Sequence, residues 1–118
     1  MPSFLPVQEI LAEEDPRIQF FSQLKGNDPR LERAGLILVE GDQQIERLLE
    51  TEIEIDTLFL ESHFYERFEP LLKNRSVTHS YTASRSVMAE IIGYRLHQGC
   101  MALVKRPDNV LFSELQGL

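Results

Sequence analysis

Three histidines, one cysteine and a few carboxylates at turns are the side chains in this chain from which chemistry would be built. His63, His79 and His97 are 16 and 18 residues apart. Paired metal ligands on one element sit only a few residues apart, so this spacing argues against a metal centre. Cys100 stands in an apolar run, where a thiol is expected to be buried and inert. There is no glycine-rich dinucleotide loop and no phosphate-loop lysine; Glu40-Gly41-Asp42 offers a single glycine, read most simply as a positive-φ turn. Glu40 and Asp42 after one apolar run, with Lys105-Arg106-Pro107 after the last, would suit a phospho-acceptor site. That chemistry needs an aspartate at the C-terminal end of a middle strand. Asp56 instead begins its strand and Ser80-Tyr81 ends the next, so the acceptor is missing.

The elements that hold these residues are legible from periodicity. Asp15-Pro16 and Asp28-Pro29 each place a capping carboxylate before a proline at the first helical position, predicting helices over about 16–25 and 28–34. Leu36-Ile37-Leu38-Val39 reads as a buried strand, closed by Gly41. Ile45, Leu48 and Leu49 mark a helix, and 55–60 a second strand. Ser62 is expected to cap a helix bearing Phe64, Phe68, Leu71 and Leu72, stopped at Asn74. A short strand over 76–81 follows. Ser84 is expected to cap a helix that buries Met88, Ile91 and Ile92 and ends at Gly93, and 100–104 forms the last strand. Strand-helix alternation of this kind predicts an α/β fold with a mostly parallel sheet.

With 118 residues, 42% hydrophobic and 26% charged, the chain is one globular domain in size and composition. No apolar run approaches the ~20 residues of a membrane helix, and the first residues lack the pattern of a secretory signal. A single cysteine excludes a disulfide framework and fits a reducing, cytoplasmic setting. Twelve basic against 19 acidic residues give a net charge of −7, which excludes a uniformly basic coat. The charge is uneven. Residues 42–74 hold nine acids and three bases, whereas 75–118 hold five bases (Arg75, Arg85, Arg95, Lys105, Arg106) and three acids. Over a Debye length of about 8 Å a local basic patch acts despite an acidic whole.

Three stretches carry a family resemblance. They are Asp15-Pro16-Arg17-Ile18 followed by Arg33-Ala34-Gly35-Leu36-Ile37-Leu38-Val39-Glu40-Gly41; Ile53-Glu54-Ile55-Asp56-Thr57-Leu58-Phe59; and Ile92-Gly93-Tyr94-Arg95-Leu96-His97-Gln98-Gly99-Cys100-Met101-Ala102-Leu103. In this order they resemble the N-terminal substrate-binding domain of SpoU/TrmH-type RNA ribose methyltransferases. The resemblance covers about residues 15–107. It implies a three-layer α/β/α sandwich with a mostly parallel, partly mixed four-stranded sheet, similar to ribosomal proteins that bind kinked RNA. On that reading residues 1–14 are an N-terminal extension, 15–107 the RNA-binding domain, and 108–118 the start of a linker to a catalytic domain absent from this chain.

The function so implied is recognition and positioning of transfer or ribosomal RNA for ribose 2′-O-methylation. S-adenosylmethionine is expected in the absent knotted domain, with no cofactor or metal in this chain and no membrane partner. The parent is expected to be a cytoplasmic homodimer, and this chain alone inactive. By resemblance to the kinked-RNA binders, RNA meets the loop after the first strand and the loop before the last. Gln43 and Gln44 offer donors and acceptors to base edges. Tyr94 and His97 offer rings for stacking, beside Gln98. Lys25, Arg30, Arg33, Arg95, Lys105 and Arg106 offer cations to phosphate. Glu40, Gly41, Gly93 and Gly99 are read as structural turn residues, with Glu40 serving turn N–H groups or pairing with Arg33. His97 as a loop brace and Tyr94 as a core lid are the simpler alternatives for those two. A second class of function, a structural or dimer-assisting interaction domain without RNA binding of its own, is suggested by the acidity of residues 42–74.

Overall fold

The computed structural model describes residues 7–25, 27–73, 75–93 and 99–106. Ten elements follow in chain order: β1 (Gln8–Glu9), a 3-10 helix (Pro16–Phe21), α1 (Pro29–Ala34), β2 (Leu36–Glu40), α2 (Asp42–Leu49), β3 (Ile55–Leu60), α3 (Ser62–Leu72), β4 (Val77–Thr82), α4 (Arg85–Ile92) and β5 (Cys100–Lys105). The strands form one five-stranded sheet in the order β1-β4-β3-β5-β2. The expected four strands are therefore five. The additional strand is Gln8–Glu9, which pairs in parallel with Tyr81 and Thr82. Two exposed polar residues carry no periodicity. They join through the backbone, helped by the Ile10 N–H bond to the Thr82 carbonyl (2.7 Å) and by the buried Ile10 side chain.

The sheet is mostly parallel and partly mixed, as expected: β1, β2, β3 and β4 run one way and β5 alone runs against them. β1·β4 and β3·β4 are parallel, but β3·β5 and β2·β5 are antiparallel. A crossover through a helix favours parallel pairing only if the chain re-enters the sheet at the starting end. Here β5 re-enters beside the C-terminal end of β3, with Cys100 opposite Leu60. β5 thus lies between β3 and β2, which run in the same direction.

Both Asp-Pro signals work as caps. The Asp15 carboxylate accepts the Arg17 N–H and the Asp28 carboxylate the Arg30 N–H, each at 2.9 Å. The arginines fork back onto the same carboxylates, which holds both acids well below the usual range, at about 2. The first helix is shorter than predicted and of the 3-10 type. Its buried residues Ile18 and Phe21, and Leu24 beyond it, recur every three positions, the 3-10 repeat. Gln23, at φ 51, then turns the chain away.

Ser84 caps α4 as expected, accepting the Val87 N–H at 3.2 Å, and Gly93 ends it. Ser62 does not cap α3. It is the first helical residue, and Glu61 occupies the cap position without a side-chain hydrogen bond to the turn. The predicted stop at Asn74 lies outside the described residues.

Two apolar clusters fill the interior. One joins Ile45, Leu48 and Leu49 of α2 and Phe64, Phe68 and Leu72 of α3 to Leu58, Leu60, Cys100, Ala102 and Val104 of the sheet. The other joins Ile18, Phe21, Met88, Ile91 and Ile92 to Phe59, Tyr81, Met101 and Leu103. Alternate residues of β5 divide between the two, as a strand buried on both faces requires. Tyr65 is buried, and its hydroxyl donates to the Tyr81 carbonyl at 2.8 Å.

Candidate nucleic-acid interface

Because β2, β3 and β4 run the same way, their C-terminal ends meet along one edge of the sheet, where β5 begins. The turn after β2 and the start of β5 are joined there. The Gly41 N–H donates to the Cys100 carbonyl (3.1 Å), and Glu40 pairs with Met101 in the ladder. The Glu61 N–H donates to the Gly99 carbonyl at 3.0 Å, tying the start of β5 to the end of β3. Gly41 has φ 104, so the turn needs glycine, and its carbonyl accepts the Ile45 N–H to open α2. Gln43 and Gln44 lie in the first turn of α2, Gln43 exposed and Gln44 half-buried. Tyr94, Arg95, His97 and Gln98 lie outside the described residues.

Charges at this edge are largely matched among themselves. The Asp42 carboxylate accepts from Arg67 Nη1 at 3.0 Å, and this contact chiefly holds its pKa below the usual range. Arg67 also reaches Glu46 (3.4 Å) and lies 5.1 Å from the centre of the Phe68 ring. Glu61 sits 3.4 Å from His63 and 3.8 Å from Arg85. Glu40 is exposed, and among the described residues it makes no pair with Arg33, which lies at the far end of β2. Cys100 is buried beneath the edge. Desolvation, with the nearby Asp42 charge second, pushes its thiol up to about 12, so it stays protonated and unreactive.

The basic candidates among the described residues are not at this edge. Leu36 pairs with Lys105, and the Arg106 N–H donates to the Gly35 carbonyl at 2.9 Å. Lys105, Arg106 and Arg33 therefore gather at the opposite end of β2, about 16 Å away along five residues. Lys25 is exposed near them, its carbonyl accepting the Asp28 N–H. Arg30 is committed to structure. Its guanidinium forks onto Asp28 (2.9 and 3.1 Å), donates to the Ser22 carbonyl and lies over the Phe20 ring. Lys105 faces Glu54 at 3.6 Å. Arg75, counted in the basic third, is half-buried and donates to the carbonyls of Leu48, Leu49, Thr51 and Ile53, out of reach of any phosphate.

Glu61, Arg67 and Arg85 were not singled out by sequence. For Glu61 a signal existed: it follows the apolar run of β3 as Glu40 follows that of β2. Arg67 and Asp42 are 25 residues apart, and no local pattern joins them.

Gly99 is the tightest point of the edge. At φ +75, a Cβ there would stand 2.8 Å from Glu61 Cδ and 3.0 Å from its Oε1. Gly99→Ala is expected to cost about 1–2 kcal/mol in urea unfolding, part from the backbone and part from displacing Glu61. In a Glu61→Ala background only the backbone share should remain; an unchanged penalty would refute the contact with Glu61.

The sequence compares well with known proteins over nearly its whole length. Proteins named as uncharacterized tRNA/rRNA methyltransferases from Mycobacterium bovis and Mycobacterium tuberculosis are 29% identical to it over 108 residues, 89% of this chain. An RNA 2′-O ribose methyltransferase of known structure superposes with a TM-score of 0.59 at 17% identity. The chain resembles RNA methyltransferases. An rRNA methyltransferase from Sinorhizobium meliloti superposes similarly, with a TM-score of 0.58 at 13% identity. Both structures match 86% of this chain, and 39% and 38% of their own lengths. The chain spans only 37% of the mycobacterial relatives. No protein-family model matches it. Among the described residues, no group of three metal-ligating side chains is present and no helix is long and apolar enough to cross a membrane.

Proposed function

We propose that this chain is the RNA-recognition and substrate-positioning part of a tRNA or rRNA ribose 2′-O-methyltransferase of the cytoplasm. The observation that carries this reading is the likeness to tRNA/rRNA methyltransferases across 89% of the chain but only 37% of theirs. In this reading S-adenosylmethionine and methyl transfer belong to the rest of the parent, a homodimer. Among the described residues, the lone glycine of Glu40-Gly41-Asp42 offers no glycine-rich cradle for such a cofactor. RNA meets the edge where the Gly41 turn joins the start of β5. Gln43 and Gln44 read base edges, and the 94–98 loop supplies rings and Arg95. Arg67 already neutralises Asp42 there, which lowers the barrier to an approaching phosphate.

The test is a titration of the chain into fluorescent transfer RNA and a ribosomal stem-loop at two salt concentrations. Expected is micromolar binding that weakens by about 0.7 log units per phosphate contact per decade of salt. A Gln43→Ala/Gln44→Ala chain should bind about fivefold more weakly. A second reading, a structural or dimer-assisting interaction domain, is favoured by the excess of acids at this edge, where Asp42, Glu46 and Glu61 face Arg67 and Arg85 and Glu40 is exposed. No binding even at low salt would select it.

A further inference from the structure

β2 stands at the rim of the sheet, paired with β5 on one side only among the described residues. The ladder decides which backbone groups it presents on the other side. The Gly41 N–H and the Gly35 carbonyl both bond to β5, at Cys100 and Arg106. In an antiparallel pair, alternate residues turn both backbone groups to the partner strand and the residues between them turn theirs away. Gly35, Ile37, Val39 and Gly41 therefore serve β5, and Leu36, Leu38 and Glu40 point their N–H and C=O outward. Proteins commonly blunt such an edge with lysine, proline or a bulge. Leu36-Ile37-Leu38-Val39-Glu40 has neither residue, and its register with β5 is unbroken. Ile37 and Leu38 are only half covered.

The two ends of this edge differ in charge. At the C-terminal end Glu40, Asp42 and Glu46 outnumber Arg67. At the N-terminal end Arg33, Lys105 and Arg106 outnumber the neighbouring Glu32 and Glu54. A second copy pairing antiparallel brings the acidic end of each strand to the basic end of the other, whereas a parallel pairing sets like against like. We propose that two copies of this chain join β2 to β2 about a two-fold axis at Leu38, making one ten-stranded sheet from two of five. In that register Leu36 meets the second copy's Glu40, Leu38 meets its own counterpart, and Glu40 meets the second copy's Leu36. All three point outward, so six backbone hydrogen bonds form, two per pair. Ile37 meets the second copy's Val39, a β-branched pair on one face, and the two half-covered Leu38 side chains cover each other on the opposite face. The same patch meets itself, as a closed two-fold interface requires. The inference does not rest on RNA binding, and its failure leaves that reading untouched.

Sedimentation velocity of the full chain tests it. Five residues a side make a small interface, so monomer at about 1 µM and mostly dimer at about 200 µM are expected. Monomer throughout overturns the proposal. Leu38→Pro removes an outward N–H and none of the bonds to β5, at the kind of position where edge strands tolerate proline. It should stay monomeric over the same range, and a dimer as tight as the native one overturns the proposal. If Leu38→Pro fails to fold, Glu40→Arg decides. This change lowers the net negative charge, which by itself favours association. It should nevertheless weaken the dimer about tenfold, by placing a cation against the basic end of the other copy. An unchanged or tighter dimer overturns the proposal.

Discussion

A Phe59→Ala chain is expected to lose about 3–5 kcal/mol of unfolding free energy, enough to lower the thermal midpoint by roughly 12 °C or more. Phe59 is fully buried on the central strand β3. Its ring lies 5.1 Å from that of Phe21, so it fastens the 3-10 helix to the sheet as well as filling space. A cavity there is bounded by strands on both sides and collapses poorly. Leu11→Ala supplies the contrast: Leu11 is 75% exposed, and its truncation should stay within about 0.5 kcal/mol. Both values come from urea unfolding followed by circular dichroism. A Phe59→Ala loss below 1.5 kcal/mol would mean that the second cluster does not depend on this ring.

The next largest effect is expected at Arg75. Its guanidinium serves four carbonyls in the turn that ends α2 and leads into β3, those of Leu48, Leu49, Thr51 and Ile53. Thr51 supports the same turn, donating to the Leu48 carbonyl at 2.7 Å and accepting the Ile53 N–H at 3.2 Å. Burial lowers the arginine pKa, but it remains charged across the neutral range. Arg75→Met keeps the aliphatic stem and removes every donor, leaving half-buried carbonyls to water. The expected cost is about 2–4 kcal/mol. Arg75→Lys should recover only part of it, because an ammonium cannot reproduce the planar fork. Arg75→Lys equal to the native chain would show that charge, not geometry, holds the turn.

Most elements were legible because their signals are local. Asp-Pro pairs, Ser84 and Gly93 each act within one turn, and the apolar runs 36–39, 55–60 and 100–104 are strands as read. What escaped was set by tertiary pairing. Gln8–Glu9 became a strand through the backbone of β4, and β5 took its direction from where the chain re-enters the sheet. The candidate interface was legible in part. The turn at Gly41 meets the start of β5, a consequence of β2 and β5 being neighbours, whereas Tyr94, Arg95, His97 and Gln98 lie outside the described residues. Arg33, Lys105 and Arg106, grouped with them as phosphate contacts, stand at the other end of the strand, because charge counts along a sequence ignore strand polarity. Arg30 and Arg75 were counted as surface charge and are instead internal braces.

The placement of β5 between β3 and β2 also constrains how the molecule is made. β3 and β4 are neighbours in both chain and sheet, but β2 pairs only with β5, some 65 residues later in the chain. At 5–20 residues per second, β2 waits roughly 3–13 s on the ribosome for the strand that completes it. During that interval Leu36–Val39 is an apolar segment without a partner, the part of the nascent chain most in need of shelter. Closing so long a loop slows its pairing relative to that of β3 with β4. Loss of the last strand, by truncation or a premature stop, would orphan β2 as well and remove two of the five strands at once.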